Sequence, residues 1–142
     1  MISTRIARIG AATAALMAVG VAGAAAASAD SGDGQEACNR YEICFSKHWD
    51  NYRYQKHFWY SGSHANYVWW DRSEHKATTS YVQNSASALA NRDGSCDVKV
   101  VNDRGIFPDS TITIPNYPGS VAWRYLDHLN DANDRHERTN CG

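Results

Sequence analysis

Asp97-Val98-Lys99-Val100-Val101-Asn102-Asp103-Arg104-Gly105-Ile106-Phe107-Pro108-Asp109-Ser110-Thr111-Ile112-Thr113-Ile114-Pro115 contains two runs in which apolar and polar side chains alternate, Asp97 to Val100 and Thr111 to Ile114. An extended chain turns successive side chains to opposite faces, so each run offers one face to a core and the other to water. Breakers at Asn102-Asp103-Arg104-Gly105 and Pro108-Asp109 lie between them. Pro115 ends the second run, because proline has no N–H to give to a ladder.

The pattern extends in both directions. Tyr41 to Phe45, Phe58 to Tyr60, Tyr67 to Trp70, Thr78 to Val82, Val98 to Val101, Thr111 to Ile114 and Val121 to Tyr125 are rich in β-branched and aromatic residues. Further breakers, Ser61-Gly62-Ser63, Asn91-Arg92-Asp93-Gly94 and Tyr117-Pro118-Gly119, punctuate them. The one weakly helical segment, Ser85 to Ala90, is too short to stand as a helix. An all-β sandwich is expected. A faint duplication sets Tyr67-Val68-Trp69-Trp70-Asp71-Arg72 against Val121-Ala122-Trp123-Arg124-Tyr125-Leu126, which predicts two four-stranded Greek keys packed together.

Residues 1–29 read as a secretory signal: Arg5 and Arg8, an apolar run from Ile9 to Ala26, and Ala27-Ser28-Ala29 as a small-residue cleavage site. The run is alanine-rich and only weakly hydrophobic, so cleavage is expected over membrane anchoring. A short flexible segment, 30–37, then leads into one domain, 38–142. Removing 29 of 142 residues leaves 113, with 12 Lys and Arg against 15 Asp and Glu, hence a net charge of −3. The cations are scattered singly, which argues against a nucleic-acid partner.

Cys38, Cys44, Cys96 and Cys141 are an even set in an exported chain, so disulfides are expected before metal ligation. Three connectivities are possible. Cys38 with Cys44 and Cys96 with Cys141 is favoured, because each bridge then lies within one half of the chain. Loop entropy assigns the short loop about 2 kcal/mol and the long one about 4 kcal/mol.

Ala37-Cys38-Asn39-Arg40-Tyr41-Glu42-Ile43-Cys44-Phe45, Lys76-Ala77-Thr78-Thr79-Ser80-Tyr81-Val82-Gln83-Asn84 and Tyr125-Leu126-Asp127-His128-Leu129-Asn130-Asp131 together resemble the secreted actinobacterial peptidase inhibitors of family I36, the family of the Streptomyces metalloproteinase inhibitor. The resemblance runs from about Cys38 to Cys141 and rests on the order and spacing of these stretches. It implies a βγ-crystallin-like Greek-key fold and inhibition of an extracellular peptidase by a monomer. The chain departs from the crystallin pattern at Asn51-Tyr52-Arg53-Tyr54-Gln55-Lys56, where no glycine follows the first hairpin. Calcium is disfavoured as well. Glu74-His75-Lys76-Ala77-Thr78-Thr79 puts a histidine, and Asn133-Asp134-Arg135-His136-Glu137-Arg138 a cation, where that pattern needs hard oxygen ligands. No cofactor is expected.

An inhibitory loop should be rigid, so that little entropy is lost on docking. Asn39-Arg40-Tyr41-Glu42-Ile43, closed between Cys38 and Cys44, is the candidate, and the loop Asn102 to Asp109 is the fallback. Trp69 and Trp70, adjacent on one strand, must point to opposite faces, which predicts one exposed ring. Such a ring suits a second function, a cell-wall or chitin-binding or antimicrobial module. Catalysis is not expected. His48, His57, His64, His75, His128 and His136 form no H-E-x-x-H pattern, and no serine sits in a nucleophile-elbow context.

Overall fold

The computed structural model describes Gly34 and residues 36–142. The expected signal segment and its cleavage site lie outside the described residues. The described residues form β1 (Ile43–Ser46), β2 (Tyr54–Phe58), β3 (Gly62–Ser63), β4 (Val68–Asp71), β5 (Lys76–Tyr81), β6 (Ala88–Asn91), β7 (Asp97–Asn102), β8 (Ser110–Ile114), β9 (Trp123–Tyr125) and β10 (Arg135–Thr139), with one 3-10 turn at Asp127–Leu129. Every strand pairing is antiparallel. Two sheets result, one of six strands in the order β5-β4-β2-β1-β6-β9 and one of four in the order β3-β10-β7-β8. The fold is all-β and sandwich-like.

The alternation in the quoted stretch becomes the β7–β8 hairpin. Val98 pairs with Ile114 and Val100 with Ile112, and these side chains share a core with Ile43, Phe45 and Leu89 of the other sheet and with Leu126 and Leu129 at the 3-10 turn. Burying apolar area of this kind is the main stabilising term. Phe45 and Phe58 meet edge to face at 5.8 Å between centroids.

Four strands, β2, β3, β6 and β10, were not anticipated as they stand. β6 lies where weak helical character was expected. Its Leu89 enters the core while Ala88 and Ala90 turn outward, and all three are fully buried. Small side chains are required there because Cys44, half of a disulfide, and Trp123 pack on Ala90. β10 reads Arg-His-Glu-Arg-Thr, yet it sits between β3 and β7, so both its edges are paired. Gly62 and Ser63, expected as breakers, form β3 opposite Arg135 and His136. Phe58 ends β2 instead of beginning a strand.

The sheets are not four plus four. In the first half β1, β2 and β6 stay in the large sheet and β3 crosses to pair with β10. In the second half β7, β8 and β10 stay in the small sheet and β9 crosses to pair with β6. The β4–β5 hairpin is an addition alongside β2. The expected match of Tyr67–Arg72 to Val121–Leu126 is therefore corrected. β4 belongs to the added hairpin, and the topological counterpart of β9 is β3.

Candidate functional site

Cys38 is bonded to Cys44, with Cα atoms 6.0 Å apart, and Cys96 to Cys141, with Cα atoms 4.1 Å apart. The first bridge closes a knuckle over the outer face of the large sheet. Only Asn39, Arg40 and Tyr41 project from it. Ile43 is in the core, and the Glu42 carboxylate is turned inward and buried. The Asn39 N–H donates to Glu42 Oε2 at 2.6 Å, His57 Nδ1 lies 3.1 Å from the same oxygen, and Trp59 Nε1 donates to Oε1 at 3.4 Å. Arg92 holds the other side: Tyr41 N donates to Arg92 O, Arg92 N to Glu42 O, and an Arg92 guanidinium N–H to Cys38 O at 2.6 Å. Tyr41 has φ +76°, a left-handed conformation that side chains other than glycine adopt seldom. The sequence-derived loop of five residues is thus a three-residue apex on a buried base.

Beside the knuckle lies a cleft of about 450 Å³ lined by Arg40, Tyr41, Trp59, Tyr60, Asp93, Gly94, Ser95 and Arg138. A groove of about 240 Å³ between Lys56, Tyr67 and Gly62 shares the Trp59–Tyr60 ridge. Tyr60 is 72% exposed. Arg138 grips Asp93 with two N–H groups, at 2.5 and 3.1 Å. Burial pushes the Asp93 carboxyl up, but Arg138 and the N–H groups of Ser95 and Cys96 outweigh it and hold the group below its usual range. Sequence reading missed this cleft because Asp93 and Arg138 are 45 positions apart. A Trp-Tyr pair running into Ser-Gly-Ser was the available signal for two rings at a turn.

At the opposite end of β7 the chain forms a second protrusion, Asp103 to Asp109. Phe107 N donates to Arg104 O, closing a turn in which Gly105 has φ +64°. Its base is clamped. Arg135 reaches Asp109 Oδ2 at 3.1 Å and Asp103 Oδ2 at 3.5 Å, and Asp103 N donates to Asp134 Oδ2 at 2.8 Å. Asp109, followed by Glu137, holds the Arg135 guanidinium firmly charged. At the tip Ile106 is 95% and Phe107 61% exposed, with Arg104 placed 5.9 Å over the Phe107 ring.

The buried histidines are spoken for. His136 Nε2–H donates to Tyr60 O at 2.8 Å, so its Nδ1 accepts from His64 Nε2–H at 2.9 Å; His64 Nδ1 in turn accepts from the Asn133 side-chain amide at 2.6 Å. This chain of donors works only with both rings neutral. Burial, with the neighbouring His136, lowers His64 to about 3, and burial lowers His136 to about 4. Carboxylate and amide oxygens of both calcium-like patterns are engaged within the chain: Glu74 with Arg53 and Lys76, Asn133 with the N–H groups of Ser85 and Ala86, and Asp134 with Gln83 and Asp103. Cys38, Glu42 and Cys44 converge as metal-ligand types do, but the two sulfurs are bonded to each other.

The expectation of an exposed ring at Trp69 or Trp70 is corrected. Trp69 is fully buried in the core and donates to Ser85 Oγ at 2.9 Å; Trp70 is half-buried, with its Nε1 enclosed and unpartnered. β4 lies on the added hairpin with Trp69 and Asp71 buried on one face and Val68 and Trp70 half-buried on the other, whereas the exposed tryptophans, Trp49 and Trp59, sit beside turns. No family profile, curated protein or solved structure matches the chain.

Proposed function

We propose that this is a secreted, monomeric, βγ-crystallin-like inhibitor of an extracellular peptidase, and that the hairpin tip Asp103–Asp109 is its contact loop. The observation that carries the contact assignment is the tip itself, where Ile106 and Phe107 stand in water above a base closed by Arg135. Exposed apolar side chains in adjacent positions gain by entering a partner's pocket, and a loop already held in shape loses little entropy in doing so. The crossing of β3 and β9 between the sheets supports the crystallin-like reading, since each half then consists of four strands of which the third is exchanged. The two disulfides support an oxidising compartment.

The knuckle is the weaker contact for a substrate-like inhibitor. Its Tyr41 ring rests against Gly94 instead of standing clear of the protein, whereas Ile106 at the tip is 95% exposed beside Phe107. The test is titration against one metalloprotease, one subtilisin and one trypsin-like enzyme. An I106A/F107A double variant should inhibit at least about tenfold less well with an unchanged melting temperature, while R40A/Y41A should inhibit as the parent does. Failure of the parent to inhibit any of the three, or full inhibition by I106A/F107A, would remove the assignment.

A further inference from the structure

We infer that the cleft beside the knuckle is a binding site for the pyranose rings of an uncharged glycan chain, separate from the peptidase contact. Its walls are aromatic: Tyr41 on one side, Trp59 and Tyr60 on the other. Aromatic faces pack against the apolar C–H faces of sugar rings, so rings set about a cleft select flat pyranoses. Two of these rings are fixed before any ligand arrives. The Trp59 indole is tethered through Nε1 to the buried Glu42 carboxylate. Tyr41 rests on Gly94 so closely that a Cβ there would lie 2.6 Å from the ring carbon Cε1, and Arg40 lies 5.0 Å over the Tyr41 ring.

The cleft's polar lining favours hydroxyl groups over charge. Arg138 and Asp93 neutralise each other in a planar fork, and the further cation of the lining, Arg40, lies over the Tyr41 ring. Asp93 is buried with its oxygens taken, so the groups that meet vicinal hydroxyls are the one-third-exposed Arg138 guanidinium and the Ser95 hydroxyl of the cleft wall. The Trp59–Tyr60 ridge then continues into the groove holding Tyr67, which suits a chain of several rings and not a monosaccharide. The cleft and the tip lie at opposite ends of β7, since Arg138 is opposite Val98 and Asp103 follows Asn102. Changes at one site leave the other in place.

The experiment titrates the disulfide-intact protein with cellohexaose, chitohexaose and a galacturonic acid hexamer, followed by tryptophan fluorescence and calorimetry. Cellohexaose, chitohexaose or both should bind and perturb tryptophan emission. Tyr60→Ala removes an exposed ring while keeping the carbonyl that accepts from His136, and should weaken binding about tenfold. Gly94→Ala should weaken it similarly by displacing the Tyr41 ring, and I106A/F107A should bind as the parent does. The inference falls if neither neutral hexamer binds at millimolar concentration. It falls equally if only the acidic hexamer binds and salt abolishes that binding, or if Tyr60→Ala and Gly94→Ala bind as tightly as the parent.

Discussion

The knuckle at Cys38–Cys44 and the hairpin tip at Asp103–Asp109 are both exposed and both restrained, but by opposite means. The knuckle is held from below, by a disulfide, a buried carboxylate and the Arg92 main chain. Its side chains lean over a cleft. The tip is held from the flank, by exposed ion pairs about Arg135, and its apolar side chains point away from the protein. A buried base makes a wall that a ligand can press against. An ion-paired stem makes a projection that can enter a partner. The two kinds of restraint therefore suit concave and convex recognition respectively.

The frame common to both regions should be the first thing to fail in acid. His64 and His136 join Tyr60, next to the knuckle's cleft, to Asn133, next to the tip's stem. Their folded pKa values, about 3 and about 4, lie below the ordinary 6.5. The unfolded chain therefore binds more protons than the folded one between pH 6.5 and about 4, and stability falls as pH falls through that window. Each histidine contributes a slope of about 1.4 kcal/mol per pH unit there, so several kcal/mol should be lost in total. Urea unfolding at steps from pH 7 to pH 5 measures it, ahead of most carboxylate titration. A flat profile would show that the two rings take up protons as readily in the folded protein as in the unfolded chain, and the donor chain drawn here would be wrong.

A smaller loss should separate the two regions. Glu42→Ala leaves the Asn39 N–H, the Trp59 indole N–H and His57 facing a buried gap, and removing one partner of a buried pair costs about 3 kcal/mol. Glycan binding should fall with it, because Trp59 loses its tether, while peptidase inhibition below the melting temperature should stay at the parent level. Loss of both activities in a still-folded variant would mean that the knuckle and tip are not independent.

Much of this was legible in sequence where one residue type has one use. Strict alternation revealed β7 and β8, and four cysteines in a chain read as exported revealed both bridges. β6 escaped because alanine, chosen here to fit beneath a disulfide and Trp123, signals helix in isolation. β10 escaped because its charges pair across the surface of the small sheet, Lys99 with Glu137 and Arg135 with Glu137, while a neutral histidine fills its inward position. The knuckle's cysteines were visible, but not that Glu42 and Ile43 face inward, which depends on His57 and Trp59 across the sheet. The cleft, assembled from Trp59, Asp93 and Arg138, left only the Trp-Tyr pair before Ser-Gly-Ser as a local sign, because Asp93 and Arg138 are 45 positions apart.

The smallest expected effect falls on the tip's stem. Arg135 is one-third exposed, and its pairs with Asp103 and Asp109 are open to solvent, so Arg135→Ala should cost about 1 kcal/mol of stability or less. Its effect on inhibition should be larger than its effect on folding. Without the clamp the loop has more conformations to lose when it docks, at about 0.5–1.5 kcal/mol per newly ordered side chain, and inhibition should weaken roughly three- to tenfold. Arg135→Lys tests the geometry of the clamp: a single ammonium cannot reach both carboxylates as a planar fork does, so affinity should fall between the parent and the alanine variant. If Arg135→Ala inhibits as well as the parent, the ion pairs do not preorganise the tip, and the contrast with the disulfide-closed knuckle would reduce to one of shape alone.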